Sequence, residues 1–537
     1  MATPSSAPGA YSPRRARRIL CVFPRYAHSF GTFQHAYELL PGVRAFMPPQ
    51  GLLLVAAYLP REWTVRIVDE NVRPVTEQDI EWSDAVFVSG MHVQRACIER
   101  LIERVHCHGR VVVVGGPSAS ACPEYYADAD VIHVGEIGDA TDALVRHLDA
   151  TVDRPREPLR LETTERWPLD ALPAPAYGLV DLRRYFLGSV QFSSGCPFRC
   201  EFCDIPALYG RVPRLKRPEQ VLAELDAMRA GGVRGAVYFV DDNFVGNPNA
   251  ARELLRHLVA WQRRHRYPLR FNCEASLNLA RHPDLLAAMR EARFTTVFVG
   301  IESPEPETLM HMRKPQNARG PVIDAVRTLN AHGLEVVAGI ILGFDTDAVD
   351  TGDRLVQFIE ASHIPMLTIN LLYALPRTPL WDRLAATGRL VHDPARASNV
   401  DFALPYDTVL GMWRHVIETV YAPAALHDRF RWQTEATFPN RLRARPPLDP
   451  SLVRFGLGLL GRIAWKVGVQ AEHRRLFWDV ARPLLARGGM EEVVQLAVVT
   501  HHLLRFSRDC LRGMEEAAFY ADPGRSEPVR ARAAAAS

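Results

Sequence analysis

The sequence predicts an α/β protein in three parts: a doubly wound α/β domain, a second array of βα units, and a helical C-terminal domain. Three observations carry this. Short, wholly apolar runs at 19–23, 65–68, 85–88, 111–114 and 131–134 are separated by helix-like stretches such as 52–59 and 93–105. Runs of this kind read as parallel strands buried on both faces, and their alternation with helices gives a doubly wound sheet. Strand-like runs then recur at 189–193, 236–240, 269–273, 296–301, 336–342 and 367–371, interleaved with amphipathic patterns such as 218–230 and 250–263. Finally, 400–510 carries helical periodicity with few strand signals. The expected boundaries are 18–150 for the first domain, 151–186 for a linker rich in Pro and charge, 187–388 for the second domain and 389–525 for the helical one. The ends, 1–17 and 526–537, have the composition of disordered tails.

Bulk properties exclude several classes. A chain of 537 residues exceeds a single core. A formal net charge of +3 sets up no field for nucleic acid, so none is expected as partner. No run of about 18 uncharged apolar residues is present to span a bilayer, and the first residues lack the apolar stretch of a signal peptide. Nine cysteines are too sparse for a disulfide framework, which points to a reducing cytoplasm.

In a doubly wound domain, ligands bind at the carboxyl ends of the strands. Here those ends are Ser89-Gly90, Gly115-Gly116 and Gly135-Glu136. Glycine there lets a bulky ligand approach the backbone, although any single one also serves as an ordinary turn.

The chemistry concentrates at Cys196, Cys200 and Cys203, a Cys-x3-Cys-x2-Cys loop with Phe202 before the last thiol. Structural zinc needs four closed ligands, usually as two separated pairs, and the nearest later cysteine, Cys273, lies in a strand-like run. Three thiolates on one loop instead suit three irons of a 4Fe-4S cluster, leaving the fourth iron open for a small molecule. Carboxylates close later strands: Asp241 and Asp242 after the second, Glu274 after the third, Glu302 after the fourth. Charges at buried strand ends need a partner.

The cysteine spacing, the preceding Ser-Gly, Phe202 and the phrase Gly300-Ile-Glu-Ser303 resemble the radical S-adenosylmethionine (SAM) superfamily. The resemblance implies a partial (βα)6 barrel, with Cys196, Cys200 and Cys203 holding the cluster and the open iron chelating SAM. It implies Phe202 beside the adenine, Asp241 or Asp242 at the SAM amino group, Glu302 and less directly Glu274 at the ribose side, and Gly339 near the adenine. An α/β domain placed before such a barrel is similar to the cobalamin-binding subclass. There the stretch 47–59 containing Gly51, together with Ser89, Gly90, Gly115, Gly116, Gly135 and Glu136, would cradle cobalamin. The second strand ends Asp69-Glu-Asn-Val-Arg73, without the histidine that ligates cobalt in many cobalamin domains. His92, after the third strand, reads as an ordinary loop histidine or as one that approaches the corrin.

Segments 21–33, 43–51, 88–92, 134–140 and 203–210 are, more narrowly, similar to the hopanoid C-2 methylase group. That implies methylation of an unactivated sp3 carbon of a small apolar substrate, using methylcobalamin and a SAM-derived radical, with a reducing donor such as flavodoxin or ferredoxin. Other readings are a cobalamin-dependent radical SAM methylase or cyclase of another natural product, and a cobalamin sensor whose cluster is structural. A tRNA methylthiotransferase is disfavoured by the absence of a basic RNA-binding appendage. The apolar run 452–469 reads as a helix capping the barrel, as a wall for a greasy substrate, or as a surface helix in peripheral contact with a membrane.

Overall fold

In the computed structural model, residues 11–393, 396–444 and 450–514 are described. β1 (Arg18–Phe23), β2 (Thr64–Asp69), β3 (Ala85–Ser89), β4 (Val111–Gly115), β5 (Val131–Val134) and β6 (Leu159–Glu162) form one sheet in the order β2-β1-β3-β4-β5-β6, parallel throughout. The order reverses between β1 and β3, so the ligand crevice of such a sheet opens at the ends of those strands. The central strands are Val- and Ile-rich and buried on both faces, with a separate apolar core on each side.

Two expectations change here. The segment expected as linker contributes β6, because Leu159 and Leu161 alternate with exposed neighbours and suit a half-covered sheet edge. Part of the expected N-terminal tail is held: Asp149 accepts hydrogen bonds from the Tyr11 hydroxyl and the Arg14 and Arg15 amides, and Arg17 donates to the Leu148 and Asp149 carbonyls. One carboxylate at a helix end gives that short segment the acceptors its composition lacks. The expectations for 1–10 and 515–537, including the C-terminal tail 526–537, lie outside the described residues.

The second sheet has the order β14-β13-β12-β11-β10-β7, all parallel, from β7 (Gly188–Val190), β10 (Ala236–Phe239), β11 (Arg270–Glu274), β12 (Phe294–Glu302), β13 (Glu335–Leu342) and β14 (Met366–Leu371). This is the six-stranded open barrel. The predicted strand 189–193 is split, because Ser193-Ser194 (β8) leaves the sheet and pairs antiparallel with Arg214-Leu215 (β9), carrying the cysteine loop with it. Phe239, Phe244, Phe271 and Phe294 fill the interior with ring centroids 5.2–5.5 Å apart.

The C-terminal helices Tyr406–Val420, Pro423–Ala436, Pro450–Trp465, Arg474–Ala486 and Met490–Leu511 cover the β14 side. Trp413 donates to the Ile369 carbonyl at 2.9 Å, and Phe30, from the loop after β1, stacks on Tyr421 at 5.2 Å. Glu38, from the segment between β1 and β2, is tied to the C-terminal helices through ion pairs to Lys466 and Arg505 and a hydrogen bond with His501, whose imidazole burial keeps neutral. Burial pulls Glu38 up, but these partners overcome it and hold the carboxyl at about 2. Among the described residues no helix is long and apolar enough to cross a membrane.

Candidate functional site

The cysteine loop hangs between two anchors. On one side Gly195 turns the chain at φ +100°, where a Cβ would sit 2.9 Å from the Gly210 carbonyl oxygen. On the other, Glu201 accepts two bonds from Arg383, at 2.7 and 3.1 Å, and its amide donates to the Met312 carbonyl. Cys196, Cys200 and Cys203 are half-buried and free, and burial raises the Cys196 and Cys203 thiols. Among the described residues no disulfide forms, and the thiols are close enough to raise one another's proton affinity. The donor set therefore fits a cluster held by three thiolates.

The acids under this loop have two jobs. Asp241 is buried, and its Oδ1 accepts the Phe192 and Ser193 amides; Asp242 accepts the Gly195 amide at 2.7 Å. Both thus clamp the chain leading to Cys196. Asp241 Oδ2, however, is buried with no hydrogen-bond partner. Burial pushes Asp241 up to about 7, Asp242 up to about 6 and Glu274 up to about 7, and neighbouring carboxylates add to it: Asp242 for Asp241, Glu136 and Asp204 for Asp242, and Asp242 with Asp241 for Glu274. Three crowded, desolvated carboxyls with an unused oxygen suit a cationic ligand, as SAM is.

Glu302 sits at φ +66°, and its carboxylate folds back over β12 and β13 to pair with buried Lys314 at 2.7 Å. A Cβ at Gly300 would lie 2.2 Å from Glu302 Oε1, and one at Gly339 would lie 3.6 Å from Oε2. Glycine at 300 is therefore demanded by the carboxylate itself. Sequence reasoning missed the segment 314–317: Lys314 also lies over the Phe202 ring at 5.6 Å, Gln316 donates to Cys200 Sγ at 3.4 Å, and Asn317 donates to the Gly300 carbonyl. The signal available was a run of polar residues, Lys-Pro-Gln-Asn, after the short helix that follows Glu302.

In the first domain the strand ends divide. Gly116 (φ +86°, ψ −170°) and Gly135 (φ +102°) adopt glycine-only backbone, and added Cβ atoms would meet Ser89 Oγ at 2.4 Å and Thr163 Cβ at 2.9 Å. The protein's own packing demands both. At Gly90 a Cβ would meet Gln94 Oε1 at 3.0 Å, and at Gly115 it would meet His133 Cβ at 3.5 Å. Gly51 alone among these faces open space within 4 Å, near the start of the helix Gln50–Tyr58. The turns after β3, β4 and β5 carry Ser89-Gly90, Gly115-Gly116 and Gly135 at the strand ends where a doubly wound sheet binds its ligand, and this shelf of small residues would suit a large flat one. Glu136 behaves differently. It pairs with Arg166 at 3.1 Å and with Arg214, and accepts from Ser194 Oγ at 3.2 Å, so it ties the shelf to the β8–β9 hairpin beside the cysteine loop. His92 packs against Tyr125 with centroids 5.6 Å apart. Gly116→Ala is expected to lower cobalamin retention by the purified protein about tenfold, through displacement of Ser89 by a side chain in a conformation costing about 1–3 kcal/mol; the corrin absorbance of the desalted protein reads it.

Three thiols suited to a cluster, crowded acids suited to a cation, and a ligand shelf tied to the cysteine loop by Glu136 point to one class that uses all three. This is a cobalamin-binding radical SAM enzyme. Residues 42–146 match the B12 binding domain, 190–359 the radical SAM superfamily, and 378–516 a domain of unknown function, DUF4070. The chain is 52% identical over 513 residues to the hopanoid C-2 methylase of Rhodopseudomonas palustris (strain TIE-1), covering 95% of this chain and 97% of that one. It belongs to that family of methyltransferases. Its fold is similar to the cobalamin-dependent radical SAM enzyme OxsB, with a TM-score of 0.57 at 15% identity over 96% of this chain and 83% of that one. It is also similar to the radical SAM methyltransferase TsrM from Kitasatospora setae, solved with cobalamin and a 4Fe-4S cluster, with a TM-score of 0.53 at 19% identity over 70% of this chain and 79% of that one.

Proposed function

We propose that this enzyme methylates a hopanoid at C-2 of ring A. The observation that carries the reading is the 52% identity to a hopanoid C-2 methylase across nearly the whole of both chains. When bound, the cofactors supply a methyl group and a radical able to take hydrogen from an unactivated sp3 carbon. The chain's own residues hold and orient these groups. Cys196, Cys200 and Cys203 bind the cluster. Asp241, Asp242 and Glu274 present negative charge to the cationic methionine end of SAM. Glu302, aligned by Lys314, accepts from the ribose hydroxyls, while Phe202 and Gly339 border the adenine. Ser89, Gly90, Gly115, Gly116, Gly135 and Gly51 shape the cobalamin shelf, and Glu136 keeps it in register with the cluster loop. An electron donor of the flavodoxin or ferredoxin type supplies the reducing equivalent, and the enzyme works on the cytoplasmic side of a membrane that holds its apolar substrate.

The test is mass spectrometry of lipids from a hopanoid-producing host lacking its own C-2 methylase and expressing this chain, with cobalamin supplied. The expected result is hopanoids one methyl heavier on ring A. An unchanged lipid profile from a host whose purified enzyme carries cluster and cobalamin would remove the hopanoid assignment and leave a methylase of another natural product.

A further inference from the structure

The helix Pro450–Trp465 continues as a π-helix, Lys466–Gln470, and then turns into the helix Arg474–Ala486. The corner is built by Trp478, whose indole donates to the Gly468 carbonyl at 2.9 Å and lies where a Cβ at Gly468 would be, 2.8 Å from Cζ2. One side of the first helix is covered. Leu459 and Ile463 are buried, Gly458 rests on Pro41, and Arg462 donates to the Glu38 carbonyl. Among the described residues the other side is not. Leu457 is 67% exposed, Trp465 58%, Val469 53% and Val453 43%. These residues are separated by multiples of four along the chain, so they form a row of exposed apolar side chains that winds round the helix into its π-helical end. Single exposed apolar residues are ordinary; a strip of four, with an indole within it, marks an interaction surface.

Charge identifies the partner. Residues 450–490 carry seven Arg or Lys and two Asp or Glu, more net positive charge than the +3 of the full chain. Among the described residues, Arg454, Arg474, Arg475, Arg482 and Arg487 are exposed and none has an acidic group within 4.0 Å. Elsewhere on this protein arginines pair with acids routinely, as Arg73, Arg252 and Arg383 do. An apolar row with a tryptophan in it, on a helical corner whose exposed arginines lack acidic partners, is the pattern of a helix that lies in the surface of an anionic bilayer. We propose that this helical corner is a membrane-docking surface for anionic lipid, seating the enzyme on the bilayer. Leu457, Val453 and Trp465 enter the acyl boundary and the arginines meet headgroup phosphates. The lipid-substrate reading gives this surface its purpose, but its binding is separable from catalysis.

The test is flotation of the cofactor-loaded full chain with vesicles of phosphatidylcholine, alone or mixed with phosphatidylglycerol. The expected result is co-flotation with the mixed vesicles, weakened by salt, and a loss of about tenfold or more in Leu457→Glu/Trp465→Glu. Trp465→Phe should float like the parent. The double variant should keep its melting temperature and its cluster and cobalamin content, because both side chains are exposed. Absence of flotation by the parent, or equal flotation by the double variant, overturns the proposal. So does a parent dimer that the double variant converts to a monomer in light scattering, since a second copy would then cover the strip. Methylation of detergent-dispersed hopanoid separates the two readings. A parent that methylates dispersed hopanoid without floating removes the docking surface alone, and a parent that floats without methylating hopanoid removes the substrate alone.

Discussion

Cys200→Ala is expected to abolish methylated product and SAM cleavage while the protein still binds cobalamin. A cluster held by three thiolates has no spare protein ligand, and the Gln316 amide that faces Cys200 at 3.4 Å cannot replace a thiolate. The shelf proposed for cobalamin belongs to a different sheet and meets this loop through Glu136 and Ser194, which the substitution does not touch. The loop also keeps its anchors, Asp242 on Gly195 and Arg383 on Glu201. The stability change should therefore stay within about 1 kcal/mol. Iron and sulfide content, cluster absorbance, corrin absorbance and 5′-deoxyadenosine release check it together. Undiminished SAM cleavage would show that the cluster is held in another way.

Lys216→Met is expected to cost about 3–5 kcal/mol of stability at neutral pH. The Lys216–Glu224 pair is 2% exposed on both sides and sits where three segments of the chain meet. The Tyr177 hydroxyl lies 3.2 Å from Glu224, 3.1 Å from Gln50 and 2.9 Å from the Ser189 carbonyl, so the first domain, the segment before β7, and the barrel share this one polar core. Burial already raises Glu224, and Lys216 opposes it. Removing the lysine leaves a desolvated carboxylate that takes up a proton on folding. The folded state then binds more protons than the unfolded one, so the deficit should shrink as pH falls and be smallest below about 4.3, where an unfolded glutamate is protonated too. Chemical denaturation at neutral and acid pH measures this. Lys216→Met/Glu224→Gln should recover much of the loss; no recovery would mean that the lysine acts through something other than its charge.

The two halves of the site differ in how visible they were beforehand. Cysteine ligands must sit on one loop at fixed spacing, so Cys196, Cys200 and Cys203 were legible as a local pattern, and the carboxylates were legible because a charge at the end of a buried strand is costly unless a ligand or a side chain meets it. Lys314 was not. It pairs with Glu302 twelve residues away, across a helix, and nothing in its neighbours sets it apart from a surface lysine. The same holds for Glu136. It reads as part of a glycine turn at a strand end, yet its carboxylate is committed to Arg166 and Arg214, the latter 78 residues further along the chain. The glycines were legible as turns. Only their neighbours in space separate Gly116 and Gly135, closed by Ser89 and Thr163, from Gly51, which is open.

The sequence by itself determined the two parallel sheets apart from the edge strand β6, the cysteine loop and the acids at the strand ends. Each rests on short-range order, such as apolar runs, loop spacing and strand termini, that needs no distant partner to be recognised. The tertiary structure decided which oxygen of Asp241 is spent on backbone amides and which is free, how Glu136 joins the turn after β5 to the hairpin beside the cysteine loop, and which face of the helix Pro450–Trp465 is covered. A buried charge selects its partner through space. A helix face counts as exposed only by what fails to pack on it, and neither condition is written in the residues nearby.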